Sequence, residues 1–121
     1  MSAPQIVSII DDDESVRAAM IRLVRSLGFV TCAFASAGDF LQSPRLKDTA
    51  CLILDVQMPG MSGLELQDFL LAEGHRIPII FITAHAGQRV RERAEARGAV
   101  ALFEKPFDVR AIAQSLAAAL G

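Results

Sequence analysis

The chain has 121 residues, 52% of them hydrophobic and 21% charged, with a formal net charge of −2. That length fits one domain, able to bury roughly two-thirds of its unfolded surface without disulfide or metal staples. The slightly acidic balance argues against a bulk electrostatic grip on nucleic acid or an anionic membrane, and no apolar stretch approaches the roughly 18 residues of a membrane span.

The opening "MSAPQ" has no basic region followed by an apolar one, so no signal peptide is expected. "IVSII" (6–10) is a β-branched apolar run and reads as a first strand. "ESVRAAMIRLVRSLG" (14–28) follows, with Val16, Met20, Leu23, Val24 and Leu27 on one helical face and Gly28 as its stop. "FVTCAF" (29–34) is a second strand and "SAGDFLQS" (36–43) a short helix. "CLILDV" (51–56) is a third strand. Cys32 and Cys51 lie within these runs without CxxC spacing, and read as reduced core residues of a cytoplasmic protein. Ser62 with Glu65 three residues on forms a capping-box pattern that opens a third helix. Leu66, Phe69 and Leu70 give that helix its apolar stripe, and Gly74 ends it. "IPIIFIT" (77–83) is a fourth strand, "GQRVRERAEARG" (87–98) a polar, Arg-rich helix with a solvated face, and "AVALF" (99–103) a fifth strand. Asp108 caps a last helix whose Val109, Ile112, Ala113, Leu116 and Leu120 face inward.

Strand and helix alternating five times imply an α/β fold, a parallel sheet with helices on both faces. Such sheets place ligands at the carboxyl ends of their strands. At that edge stand Asp11, Asp12 and Asp13 after strand one, Asp55 at the end of strand three, Thr83 at the end of strand four and Lys105 after strand five. Strand two contributes nothing. Crowded carboxylates raise one another's pKa, a conflict that a hard divalent cation removes. A carboxylate can also act as a nucleophile and form an aspartyl-phosphate. Lys105 supplies a compact positive charge and Thr83 a hydroxyl for a phosphoryl oxygen. Asp13 reads as the cap of helix one.

"IIDDDESVR", "LILDVQMPGMSG", "FITAH" and "FEKPF", in this order and at these separations, resemble the receiver domain of bacterial two-component response regulators. The resemblance covers residues 5 to 120, and is strongest to the subgroup that regulates nitrogen fixation and carries a helix-turn-helix output domain. It implies a single doubly wound five-stranded sheet in the order 2-1-3-4-5 with five helices, the flavodoxin-like receiver fold. It implies that Asp55 accepts a phosphoryl group from a histidine kinase or a phosphotransfer protein. Mg²⁺, with Mn²⁺ as an alternative, would be held by Asp11, Asp12, Asp55 and the backbone carbonyl of Gln57. Thr83 and Lys105 would contact the phosphoryl group, and Gln57 and His85 would tune its hydrolysis. The Lys105–Pro106 bond would be cis.

In this family a Tyr or Phe usually stands three residues before the lysine and moves with the threonine. Here that position is Leu102. Strand alternation points its neighbour Phe103 to the opposite face, so Leu102 is left to fill or vacate the space behind Thr83. The fourth helix, strand five and last helix would form the partner face, with Val90, Ala94 and Ala101 near it. Residues 1–121 read as one receiver without an output domain, either isolated or truncated, or docking to partners by itself. A phosphorylation-dependent homodimer is a further option, while direct nucleic-acid or membrane binding is not expected. Two other classes fit less well. A haloacid-dehalogenase-type phosphohydrolase needs a second acid where Gln57 stands, and usually a cap domain. A flavin mononucleotide binder wants a Ser/Thr/Gly-rich phosphate loop where this chain has three aspartates. The chain is therefore expected not to be a turnover enzyme, but to catalyse only its own phosphorylation and dephosphorylation.

Overall fold

The computed structural model describes residues 5–121, so the reading of the N-terminal stretch falls largely outside the described residues. Five strands form one sheet: β1 (Ile6–Ile10), β2 (Val30–Phe34), β3 (Thr49–Asp55), β4 (Ile79–Thr83) and β5 (Ala101–Glu104). Their order is β2-β1-β3-β4-β5 and every pairing is parallel, as expected. The helices are α1 (Glu14–Ser26), α2 (Ala37–Gln42), α3 (Gly63–Ala72), α4 (Gln88–Ala96) and α5 (Val109–Leu120).

Side chains alternate between the two faces of the sheet, as a period of two requires. Val7, Ile9, Cys51, Ile53, Ile80 and Ile82 point to the face covered by α1 and α5, where Met20, Val24, Ile112 and Leu116 close the core. Ile10, Leu52, Leu54, Ile79, Phe81 and Leu102 point to the other face, covered by α2, α3 and α4. Leu102 and Phe103 thus belong to different cores.

Several boundaries and faces differ from the sequence reading. β3 begins at Thr49, where the Ser8 and Thr49 hydroxyls pair at 2.7 Å across the sheet, and it ends at Asp55. A short 3₁₀ helix, Pro44–Asp48, precedes it, capped by Ser43. β4 begins at Ile79, after Pro78. β5 begins at Ala101 because Gly98, with a φ of 88°, turns the chain out of α4, and the Ala99 N–H still bonds back to Ala94. Phe69 is 40% exposed, because α3 turns Leu66, Gln67 and Leu70 inward instead. Val109 and Leu27 lie at helix ends and are also exposed. Cys51 is fully buried, but Cys32 is only half-buried because β2 is an edge strand. The Arg-rich α4 is not simply solvated: Arg93 and Arg97 both pair with Asp68 of α3, and the Arg91 guanidinium donates to the Leu102 carbonyl at 3.2 Å.

Candidate phosphoacceptor site

The parallel register delivers Asp11, Asp55, Thr83 and Lys105 to one edge of the sheet. β3 and β4 run in step to their ends, with Asp55 opposite Ile82. The Lys105 N–H then donates to the Thr83 carbonyl at 2.7 Å, so β5 sets Lys105 beside the end of β4. Asp11 follows β1 directly, and its N–H bonds to the Phe34 carbonyl of β2. The Lys105–Pro106 peptide is cis.

Asp11 and Asp55 are buried, at 0% and 4% exposure, and Asp12 is exposed. One carboxylate oxygen of each lies within 4.8 Å of the other two. Lys105 reaches into this cluster, its ammonium 3.2 Å from Asp11 Oδ2 and 3.8 Å from Asp55 Oδ2. The remaining acceptor of each buried acid is held by the backbone: the Asp13 N–H donates to Asp11 Oδ1 at 2.8 Å, and the Gln57 N–H to Asp55 Oδ1 at 3.2 Å. Burial, and next the neighbouring Asp11, push the Asp55 carboxyl up to about 6, against the pull of Lys105 and the Gln57 N–H.

Three carboxylates gathered around one ammonium leave the cluster with excess negative charge. Oxygen donors within 4.8 Å of each other suit a hard divalent ion, whose opposite ligands lie about 4 Å apart in an octahedron. The donor set therefore fits such an ion, with exposed Asp12 free to adjust. Asp13 is instead the α1 cap: its Oδ1 accepts the Ser15 hydroxyl and then the Ser15 and Val16 N–H groups, which holds its carboxyl below the usual range.

Thr83 is fully buried, and its hydroxyl is engaged with its own loop, donating to the His85 carbonyl at 3.0 Å and accepting the His85 N–H at 3.3 Å. Gln57 and His85 are exposed at the rim. Leu102 is buried behind the sheet edge with Phe81 and Ala94.

Three residues escaped the sequence reading. Gly63, the first residue of α3, passes so close under β3 that a Cβ there would overlap the Asp55 carbonyl oxygen. Its signal was a glycine placed directly after a capping serine, where helix formation gives no reason for one. Arg17 donates to the Asp11 carbonyl at 2.7 Å and steadies the start of the acidic loop. Glu104 accepts the Ala86 N–H at 3.0 Å. Neither of the last two pairings has a local sequence signal.

A family model described as "Response regulator receiver domain" matches residues 7–117. Nodulation protein W of Bradyrhizobium diazoefficiens is 42% identical over 118 residues, covering 98% of this chain and 52% of that protein. The transcriptional regulatory protein FixJ of Azorhizobium caulinodans is 39% identical over 115 residues, covering 95% of this chain and 54% of that protein. Among solved structures, the response regulator StyR superposes with a TM-score of 0.89 at 42% identity, over 98% of this chain and 60% of that one. The chain thus spans about half the length of the curated relatives it matches.

Proposed function

The chain belongs to the response regulator receiver domain family, and from that membership we propose that it is a phosphorylation-dependent switch with Asp55 as the phosphoacceptor. The observation that carries the reading is the pairing of a buried Asp55, held at a raised pKa, with Lys105 at 3.8 Å on the edge where parallel sheets bind ligands. The donor is a histidine kinase or phosphotransfer protein. An Asp55 carboxylate oxygen attacks phosphorus in line, the P–N bond of the phosphohistidine breaks, and the imidazole nitrogen leaves with the electron pair. Lys105 faces the charge that gathers on the phosphoryl oxygens, and Thr83 donates its hydroxyl to one of them. Mg²⁺ or Mn²⁺ bound by Asp11, Asp12, Asp55 and the Gln57 carbonyl would neutralise the acidic cluster and the incoming phosphoryl oxygens.

The acyl phosphate adds roughly −1.5 to −2 of charge at Asp55. Thr83 turns toward it and Leu102 fills the space vacated behind Thr83. The loop after β4 and the α4–β5–α5 surface then shift population toward a second arrangement. Gln57 and His85, at the rim, govern water access and so the lifetime of the phosphate. Residues 1–121 act as the receiver, a cytoplasmic module that does not itself bind nucleic acid or membrane. Its altered face controls a transcriptional output, as the names of the longer relatives suggest, or docks a partner, including a second copy of the chain. It turns over no external metabolite; its only reactions are its own phosphorylation and dephosphorylation. The test is intact mass after incubation with Mg²⁺ and acetyl phosphate, for the wild type and Asp55→Asn. A single phosphoryl adduct on the wild type alone, lost on chelation, is expected. No adduct from acetyl phosphate or from a phosphorylated histidine kinase would sink the assignment.

A further inference from the structure

Glu104, the last residue of β5, has no part in the chemistry above, yet its carboxylate crosses to the loop after β4 and accepts the Ala86 N–H at 3.0 Å. Residues 84–87 of that loop connect Thr83 to α4. The same loop holds the Thr83 hydroxyl, which donates to the His85 carbonyl. A hydroxyl has one proton to give. While it is given to His85 it is not available to a phosphoryl oxygen on Asp55. Apart from Ala86, which packs half-buried against the core, the loop is loosely held: Ala84, His85 and Gly87 are exposed, and Gly87, the N-cap of α4, offers no side-chain cap.

From this juxtaposition we infer that Glu104 is a positioning residue: its bond to Ala86 latches the loop in the arrangement that keeps Thr83 turned to His85, and so restrains phosphoryl uptake at Asp55. The inference rests on the assignment of Asp55 as phosphoacceptor. Releasing the latch lowers the cost of freeing Thr83 and raises the fraction of molecules ready to react.

The test uses the full chain as wild type, Glu104→Ala and Glu104→Gln, each with and without Thr83→Ala. Glu104 is exposed, so the variants are expected to fold. Two rates are read: exchange of the Ala86 amide hydrogen in the unphosphorylated protein, and adduct formation on Asp55 with Mg²⁺ and acetyl phosphate. Loss of a charge-assisted hydrogen bond predicts Ala86 exchange about tenfold faster in Glu104→Ala, and adduct formation about three- to tenfold faster. Glu104→Gln, which keeps an acceptor oxygen at the same place, should restore both rates toward wild type. In the Thr83→Ala background, Glu104→Ala should no longer accelerate adduct formation. Three results overturn the latch: unchanged Ala86 exchange, acceleration equal in Glu104→Gln and Glu104→Ala (a charge effect on the approaching donor), or acceleration that persists without the Thr83 hydroxyl. A wild type that takes no phosphoryl group overturns the Asp55 assignment instead, and Ala86 exchange then still decides whether Glu104 holds the loop.

Discussion

Replacing Asp55 with Asn should make the metal-free protein more stable at neutral pH, although it removes the reactive group. The folded protein holds the Asp55 carboxyl at about 6, against an ordinary value of 3.8. The folded state therefore binds this proton more tightly than the unfolded chain. The advantage is complete below pH 3.8, and is lost as pH rises through 6, where folded Asp55 must ionise beside Asp11. At about 1.4 kcal/mol for each tenfold change in proton affinity, the ionised carboxylate costs about 3 kcal/mol above pH 6. That cost is already net of the attraction to Lys105 at 3.8 Å; Asn removes it and keeps an oxygen for the Gln57 N–H. A net gain of about 1–3 kcal/mol follows.

For a domain of this size that corresponds to a Tm higher by roughly 4–12 °C. The assay is thermal unfolding of both proteins in chelator, at pH 7.5 and at pH 4.5. The gain should be full at pH 7.5 and much smaller at pH 4.5, where wild-type Asp55 is mostly protonated. Added Mg²⁺ should stabilise the wild type more than Asp55→Asn, since a ligand that binds only the folded state stabilises in proportion to ln(1 + [L]/Kd). An Asn variant less stable than wild type at pH 7.5 in chelator, or a gain independent of pH, would refute the electrostatic account.

Lys105→Met should destabilise the metal-free protein by about 2–4 kcal/mol, because Asp11, at 0% exposure, loses its ammonium partner. The same variant should bind Mg²⁺ more tightly once the competing cation is gone; urea unfolding and titration calorimetry check the pair, and weaker Mg²⁺ binding would count against it. Gly63→Ala should cost at least about 2 kcal/mol and impair phosphoryl uptake, because its Cβ would press on the Asp55 carbonyl; an unchanged urea midpoint would show that the backbone yields there. Native protein should react with a thiol reagent at Cys32 only, since burial pushes the Cys51 thiol up to about 12; fast labelling of both thiols without denaturant would contradict this. Backbone amides of α4 should exchange through local opening well before those of α5, and equal protection of the two helices would contradict the contacts seen here.

The gathering of the candidate site's residues at one edge was more legible in the sequence than the elements around it. Asp11, Asp55, Thr83 and Lys105 each follow an apolar run, and parallel strands necessarily bring such positions to one edge, so a one-dimensional pattern carried three-dimensional information. The start of β3 was not legible, because Thr49 pairs through a hydroxyl with Ser8 and shows no apolar signal. Pro44–Asp48 is too short to display a period. Phe69 was misread because Gln67, polar by type, occupies the inward position and turns its amide to the Ala94 carbonyl at 3.3 Å. Such pairings, like Asp68 with Arg93 and Arg97, join residues far apart in the chain, and nothing local announces them.

Those long-range polar ties also bear on which part of the molecule can respond. α1 and α5 are fixed by fully buried Met20, Val24, Ile112 and Leu116, each contributing about 1.5–3 kcal/mol of apolar burial. α4 buries only Ala94 completely. It is held otherwise by half-buried Val90, by the partly exposed Asp68 pairs, by Gln67 and by the Arg91 bond to Leu102, and exposed ion pairs are worth about 0–1 kcal/mol each. Gln67 adds a cost of its own, because its Oε1 is buried without a partner among the described residues and an unpaired buried acceptor costs about 1–3 kcal/mol. Displacing α4 would admit water to that oxygen and recover part of what the broken ties cost. The element joined directly to the Thr83 loop is therefore also the one whose resting position is least deeply favoured. On the proposed switch, a charge added at Asp55 need supply only a few kcal/mol to move it, so α4 and β5 would carry most of the rearrangement and the α5 part of that surface would change least.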